Sequence, residues 1–332
     1  MSAALDMDAV TERARSGVLA CIPGVRVTAV ESLGGHSGLT LAAHLDDGRR
    51  VVVKLSPPGR PARGRHDVIR QARLLEILSR VPGIRVPRIL GSDAGEPQLA
   101  VMEWIDGEAR EPILDGVGDD VSAADVSARA RSLARMLAAL HDVGPADVRP
   151  DANGDGEPTA TPLAELERWK QVMDAVQPEL RPLAGELYPL LRDSAPDAAP
   201  PVVVHGDFRL GNALCRGASV AAVIDWEIWS LSDPRVDLGW FLLFCDSADF
   251  PGNGHPAPGM LSADELLGVY EDARGVRVAG MRWFHALGAY KMSAIMGHNL
   301  RRHREGRRHD PYQEMLPPTI LHLAERARDL LR

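Results

Sequence analysis

Cysteine is scarce in this 332-residue chain: Cys21, Cys215 and Cys245 are odd in number and far apart. Such usage excludes a disulfide-stapled scaffold and a zinc knuckle, and it fits a reducing compartment. Lysine is equally scarce, with Lys54, Lys170 and Lys291 the only three among 38 Lys+Arg. No apolar run reaches the roughly 18 residues that a membrane helix needs. The opening segment MSAALDMDAVTERARSG is interrupted by acids and lacks the basic-then-apolar order of a secretory signal. These absences give the expectation of a soluble, cytoplasmic protein that makes no membrane contact.

A surplus of positive charge is missing too, the formal net charge being −8 at pH 7. Residues 1–105 hold 14 Lys+Arg against 11 Asp+Glu, a net of +3, whereas the remainder holds 24 against 35, a net of −11. Nonspecific nucleic-acid binding works by neutralising phosphates and is disfavoured by this balance; cationic ligands would be tolerated or attracted. What is present is an ordinary globular composition, 45% hydrophobic and 25% charged, with no internal repeat. It supplies a sizeable core for a two-lobed enzyme or two modest domains.

After residue 24 the chain reads as strands. VRVTAVESL (25–33) and LTLAAHL (39–45) flank GGHSG, and DDGRRVVVKL (46–55) follows a turn whose Asp47-Gly48 pair suits a hairpin. SPPGRPARG (56–64) is a Pro/Gly loop. Val68, Ala72, Leu75 and Leu78 then recur at helical spacing, and IRVPRILGSD and QLAVMEWIDG read as two more strands. The order β-β-β-α-β-β makes a small antiparallel-sheet lobe.

The rest is mainly helical. Ser122 with Asp125 forms a capping box ahead of Val126, Leu133, Leu137 and Leu140. Thr161-Pro162 opens a second helix with Leu163, Leu166, Trp169 and Val172 on one side. Residues 144–159 form a polar loop between them, PVVVHGDF and AAVIDWE are short apolar strands, and three helices close the chain. The fold class is therefore α+β, with the lobes meeting near residues 103–108.

The chemistry-bearing pattern is HGDFRLGN at 205–212, followed by VIDWE at 223–227. Phosphoryl transfer asks little of a protein: one carboxylate to orient or accept the proton of a hydroxyl, and oxygen ligands for Mg²⁺ on the nucleotide phosphates. Asp207 can supply the first, and Asn212 and Asp225 the second. An Asp and an Asn five residues apart on one loop, with another Asp at a strand end, meet that need.

These motifs, with DPRVDL at 233–238, resemble those of the aminoglycoside phosphotransferase family, small-molecule kinases of protein-kinase-like fold, over roughly residues 25–330. The resemblance implies a nucleotide-binding lobe over 1–104 and a catalytic, substrate-binding lobe over 105–332. It implies ATP and Mg²⁺ as cofactors, with Asp207 as catalytic base and Asn212 and Asp225 as metal ligands. Arg209, two past the base, falls where protein kinases carry a lysine on the transferring phosphate, and a guanidinium there can stabilise developing charge. His205 and Asp237 would brace the loop.

Lys54, in VVVKL on the third strand, would hold the α/β-phosphates. Its helix partner departs from the family pattern, because Arg70-Gln71 stands where Arg-Glu is usual. Gln71 can hydrogen-bond Lys54 without neutralising it. Glu76 lies about 140° around the helix from Gln71, whereas Asp67 shares its face one turn earlier and is the competing partner. Gly34, Gly35 and Ser37, in the LGGHSG turn, would let backbone amides approach the phosphates. The backbone of Glu103 and Ile105 would meet adenine.

His255, His285, His298, His303, His309 and His322 lack metal-ligand spacing, and Trp226, Trp229 and Trp240 read as core. RRHREGRR (301–308) reads first as a solvated helix end, with a patch for an anionic acceptor, such as a coenzyme A phosphate, as the sharper alternative. The expected partner is a small molecule bearing a hydroxyl, of antibiotic or hydroxyacyl-CoA type. Wording nearest to the kinase domains fused to some acyl-CoA dehydrogenases favours the latter; homoserine- or choline-type kinases are a third branch. A catalytically inactive nucleotide-binding module is the alternative of a different class.

Overall fold

The structure is a computed structural model that describes residues 6–34, 39–148 and 157–332. Gly35 and Ser37, and residues 149–156 of the polar loop at 144–159, lie outside the described residues.

The first element is a helix that the sequence reading passed over, α1 (Met7–Cys21), started by Asp6, whose carboxylate accepts from the amides of Asp8 and Ala9. Five antiparallel strands follow: β1 (Val27–Ser32), β2 (Leu39–Leu45), β3 (Arg50–Leu55), β4 (Ile89–Asp93) and β5 (Leu99–Glu103). They lie in the order β1-β2-β3-β5-β4. Gly48 closes the β2–β3 hairpin with a φ of 83°.

Strand alternation decides which face each side chain takes. Val51, Val53 and Leu55 point into a core shared with Val10, Ala14 and Val18 of α1. Lys54, between them in sequence, points to the opposite face. That face is covered by α2 (Val68–Leu78), whose N-terminus Asp67 caps by accepting from the amide of Arg70.

Beyond the sheet come α3 (Pro112–Asp115), α4 (Ala123–Leu140), α5 (Pro162–Asp174) and α6 (Ala184–Asp193). The Ser122–Asp125 capping box is present at the start of α4. Four short strands carry the loop chemistry: β6 (Val202–Val204), β7 (Ala213–Arg216), β8 (Ser219–Val223) and β9 (Ser230–Ser232). β6 pairs with β9 and β7 with β8. The chain ends with α7 (Arg235–Leu242), α8 (Ala263–Arg274), α9 (Met281–Arg304) and α10 (Pro317–Leu331). This is the two-lobed, protein-kinase-like α+β architecture.

α9 is the axis of the helical lobe, buried around most of its circumference from Trp283 to Met296. α7 crosses it at two glycines. A Cβ on Gly239 would sit 2.2 Å from the Phe284 carbonyl oxygen, and one on Gly288 would sit 2.8 Å from the Gly239 oxygen. Both obstacles are backbone and cannot swing aside. Gly239→Ala is therefore expected to destabilise the protein by about 1–3 kcal/mol through overpacking, read as a lower urea midpoint at unchanged m-value. An unshifted midpoint would show that this crossing is not tight.

Candidate active site

The HGD segment leaves β6 and turns at Gly206, whose φ is 85°. A Cβ there would meet the Ile228 oxygen at 2.8 Å, so this turn requires glycine. Asp237, fully buried on α7, accepts from the amide of His205 at 2.6 Å and from that of Gly206 at 2.8 Å. Nδ1 of His205 accepts from the Asp207 amide at 3.1 Å, which leaves Nε2 to donate to the Ile224 carbonyl at 2.9 Å. His205 thus ties the loop to the strand end ahead of Asp225. Both residues brace the loop in the way expected of them.

Asp207 is met by three donors. Trp240 Nε1 donates to Oδ1 at 2.7 Å and Arg209 Nε to the same oxygen at 3.3 Å, while Asn212 Nδ2 donates to Oδ2 at 2.8 Å. Burial acts to raise the Asp207 carboxyl, but the charges of Arg209 and Lys291 and the Asn212 bond hold it below the usual carboxylate range. It is an anion at neutral pH, oriented and able to accept one more proton-bearing group.

The Asn212 amide nitrogen also donates to the Asp207 carbonyl at 2.8 Å, so its remaining functional atom is the carbonyl oxygen. Asp225 follows β8 in the left-handed region, φ 65° and ψ 57°, the only non-glycine with positive φ among the described residues. Such a conformation is unfavourable for a side chain and turns the carboxylate out of the strand direction. Its Oδ1 lies 3.4 Å from Lys54 Nζ.

The structure corrects the expected partnership of Lys54. Gln71 lines the same small cavity as Lys54 and Asp225, but its amide donates to the Arg65 carbonyl at 3.0 Å. Asp67 is occupied in capping α2. The carboxylate on Lys54 is Asp225, from the other lobe. The Glu103 amide donates to the Arg88 carbonyl at 2.9 Å, whereas the Ile105 amide has no partner among the described residues. Gly34 lies just past β1, its φ 72°.

Three groups in the site escaped the sequence reading. Trp240, read as core, is the 2.7 Å donor to Asp207; its place one helical turn after Asp237 was the available signal. Lys291 of α9 is buried, donates to the Gly206 carbonyl, and lies 3.7 Å from the Trp240 ring centre and 4.9 Å from that of Trp169. Burial lowers its pKa to about 8, opposed by the charge of Asp207. Its rarity as a lysine in an arginine-rich chain was the only hint.

Glu111, just ahead of α3, is a third. It is 1% exposed, and its Oε2 accepts from the Gly211 amide at 3.0 Å and faces Arg209 Nη1 at 3.6 Å. Burial pushes its carboxyl up to about 7 against the pull of Arg209.

A larger cavity, about 460 Å³, opens between α2 and the segment after Asp225. Arg65, Arg70, Arg73 and Arg168 line it together with Asp67, Glu157, Glu227 and Trp229. Arg70 lies 3.8 Å over the Trp229 ring, donates to its carbonyl at 3.0 Å and pairs with Glu157 at 2.8 Å. Ile228, in its wall, is the residue that touches Gly206. The 301–308 cluster is the end of α9: Arg304 pairs with Glu314, and Arg301 and Arg307 with Glu305.

Residues 28–287 match the model of the phosphotransferase enzyme family, the aminoglycoside phosphotransferase type. The chain belongs to that family. It is 27% identical over 263 residues to acyl-CoA dehydrogenase family member 11 of Pongo abelii, covering 74% of this chain and 32% of that protein. The chain thus spans about a third of the length of the curated relatives it matches. A solved protein of Ralstonia eutropha, provisionally assigned as an aminoglycoside phosphotransferase, superposes with a TM-score of 0.72 at 20% identity, covering 98% of each chain. An aminoglycoside phosphotransferase held with ADP and hygromycin B gives 0.56 at 14% identity, over 90% of this chain and 95% of that one. Among the described residues no helix is long and apolar enough to cross a membrane.

The raised carboxyl of Glu111 makes a stability prediction with a definite sign. Its folded value is above the unfolded one, so the contribution is fully present below about pH 4.5 and is lost as pH rises through about 7. Glu111→Gln removes this dependence. The melting temperature of the variant relative to wild type should climb from pH 4.5 to 7, by an equivalent of at most about 3 kcal/mol, and level off above. A difference that stays flat across this range would contradict the assignment.

Proposed function

We propose that the chain is an ATP- and Mg²⁺-dependent O-phosphotransferase acting on the hydroxyl of a small molecule. The observation that carries this reading is Asp207: an ionised carboxylate fixed by three donors, on a loop tied directly to the strand end that presents Asp225 against Lys54. Asp207 would orient the acceptor hydroxyl and take its proton. Arg209 would offset the charge that develops on the transferring group, and Lys54 would hold the nucleotide phosphates.

The oxygens of Asn212 and Asp225 suit a hard cation, since the Asn212 nitrogen is already engaged and only Oδ1 of Asp225 is paired with Lys54. Bound there, Mg²⁺ would neutralise charge on the nucleotide phosphates. Among the described residues no three His, Cys, Asp or Glu side chains gather as a metal cage; magnesium commonly relies on waters and substrate phosphates instead. Ile105 would offer its free amide to adenine, and Gly34 and its neighbours would cover the phosphates.

For the acceptor, the cavity beside Ile228, where four arginines outnumber the acids Asp67, Glu157 and Glu227, favours an anionic molecule over a polycation. The relatives being acyl-CoA dehydrogenases makes a hydroxyacyl thioester the first candidate, ahead of the aminoglycosides that the family name suggests. The test is an ADP-release assay with MgATP against hydroxyacyl-CoAs, aminoglycosides and macrolides. Turnover with hydroxyacyl-CoA and a raised acceptor KM in Arg73→Glu are expected. Turnover restricted to aminoglycosides would overturn the anionic acceptor while leaving the reaction class standing.

Two substitutions test the roles. Asp207→Ala should cut kcat by at least ~10²-fold while MgATP binding by calorimetry stays near wild type; near-normal turnover would refute the base. Lys54→Ala should raise the ATP KM severely, because its ammonium would be the cation on the phosphates. An ATP titration superimposable on wild type would remove Lys54 from the site.

A further inference from the structure

Arg209 folds back across Gly211. A Cβ on Gly211 would fall 1.9 Å from Arg209 Nη1, so the missing side chain is what gives the guanidinium its room. There it bridges two carboxylates, with Nε 3.3 Å from Asp207 Oδ1 and Nη1 3.6 Å from Glu111 Oε2. The Phe244 ring lies 5.5 Å beneath it.

Glu111 is a costly residue to place here. An ionised carboxylate in the interior is unfavourable unless a partner offsets its desolvation. The Gly211 amide, which Glu111 accepts from at 3.0 Å, needs only a neutral acceptor. The other oxygen, Oε1, is buried without a hydrogen-bond partner. Asp115 on α3 and Cys245 beyond α7 are the other titratable groups whose charge couples to it, and neither is a cation. The one group that gains from the negative charge of Glu111 is Arg209.

We infer that Glu111 is a positioning residue for Arg209, sharing the guanidinium with Asp207 so that it does not close fully onto the base. With the charge of Glu111 present, the guanidinium is drawn off Asp207 and stays beside the position where a phosphoryl group and a hydroxyl would meet. With that charge absent, both nitrogens turn to Asp207, weakening it as a proton acceptor and crowding the hydroxyl. The inference rests on the phosphotransfer reading above.

The test uses Glu111→Gln, which keeps an acceptor for the Gly211 amide and removes only the charge, together with Arg209→Gln and the double variant. Release of ADP from MgATP is followed with the best acceptor of the panel, or with water as acceptor. Glu111→Gln should lower kcat about tenfold or more with the ATP KM within about twofold, and the double variant should be no slower than Arg209→Gln alone. Wild-type kcat in Glu111→Gln, or losses that multiply in the double variant, would overturn the inference. Asp207→Ala separates the two claims. If it abolishes turnover while Glu111→Gln keeps the wild-type kcat, only the inference fails; if it keeps turnover, the base assignment beneath it fails. A crystal structure of Glu111→Gln gives a reading independent of turnover. Both guanidinium nitrogens on Asp207 would support the inference, and an unmoved guanidinium would overturn it.

Discussion

Asp237 is the residue on which the geometry of the candidate site depends. One buried carboxylate accepts the amides of His205 and Gly206 and so fixes the start of the loop that carries Asp207, Arg209 and Asn212. Without an acceptor there, two buried amides would be left unpaired, each at a cost of about 1–3 kcal/mol. Burial acts to raise the Asp237 carboxyl, yet His141, His205 and the backbone amide keep it below its ordinary range. It therefore stays an anion, and a charged acceptor makes both bonds stronger than a neutral one would. The loop's shape is set from α7, outside the loop itself.

The same helix delivers Trp240 to Asp207, and this connects helix packing with chemistry. α7 can lie against α9 only because Gly239 and Gly288 lack side chains at the crossing. That close approach brings Lys291 of α9 under the Trp240 ring and within reach of the Gly206 carbonyl. A buried ammonium then faces a π-surface on one side and a carbonyl on the other, with the Asp207 carboxylate near enough to favour its charge. Packing of two helices, electrostatics of a buried cation and orientation of the Asp207 carboxylate form one connected arrangement.

Ionised groups in the site are shared between partners. Arg209 lies between Asp207 and Glu111, and Lys54 reaches Asp225 across the cleft. Shared charges are less tightly held than exclusive pairs, which suits side chains that would have to turn to an incoming ligand. The arginine-lined cavity beside the loop has a different character. Arg70 is fixed by stacking and two hydrogen bonds, whereas Arg73 stands exposed at the edge, so the wall combines a rigid part with an adaptable one.

Much of the architecture could be read from the residues in order. Strand alternation in VVVKL, the Asp47-Gly48 turn, the Ser122–Asp125 box and the helical recurrence after residue 66 are local signals, and local physics governs them. The HGDFRLGN, VIDWE and DPRVDL motifs are local too, and their resemblance to the family's motifs pointed to the loop, the family and the bracing roles of His205 and Asp237. Tertiary structure decided which distant groups meet. Asp225, not Gln71 or Asp67, stands against Lys54, because Asp67 is engaged in capping its own helix and Gln71 in bonding the Arg65 carbonyl. Glu111, Trp240 and Lys291 join Asp207 from three separate segments. Each looks ordinary along the chain, since what sets it apart is burial beside an opposite charge or a hydrogen-bond partner. That environment exists only once the helices have packed.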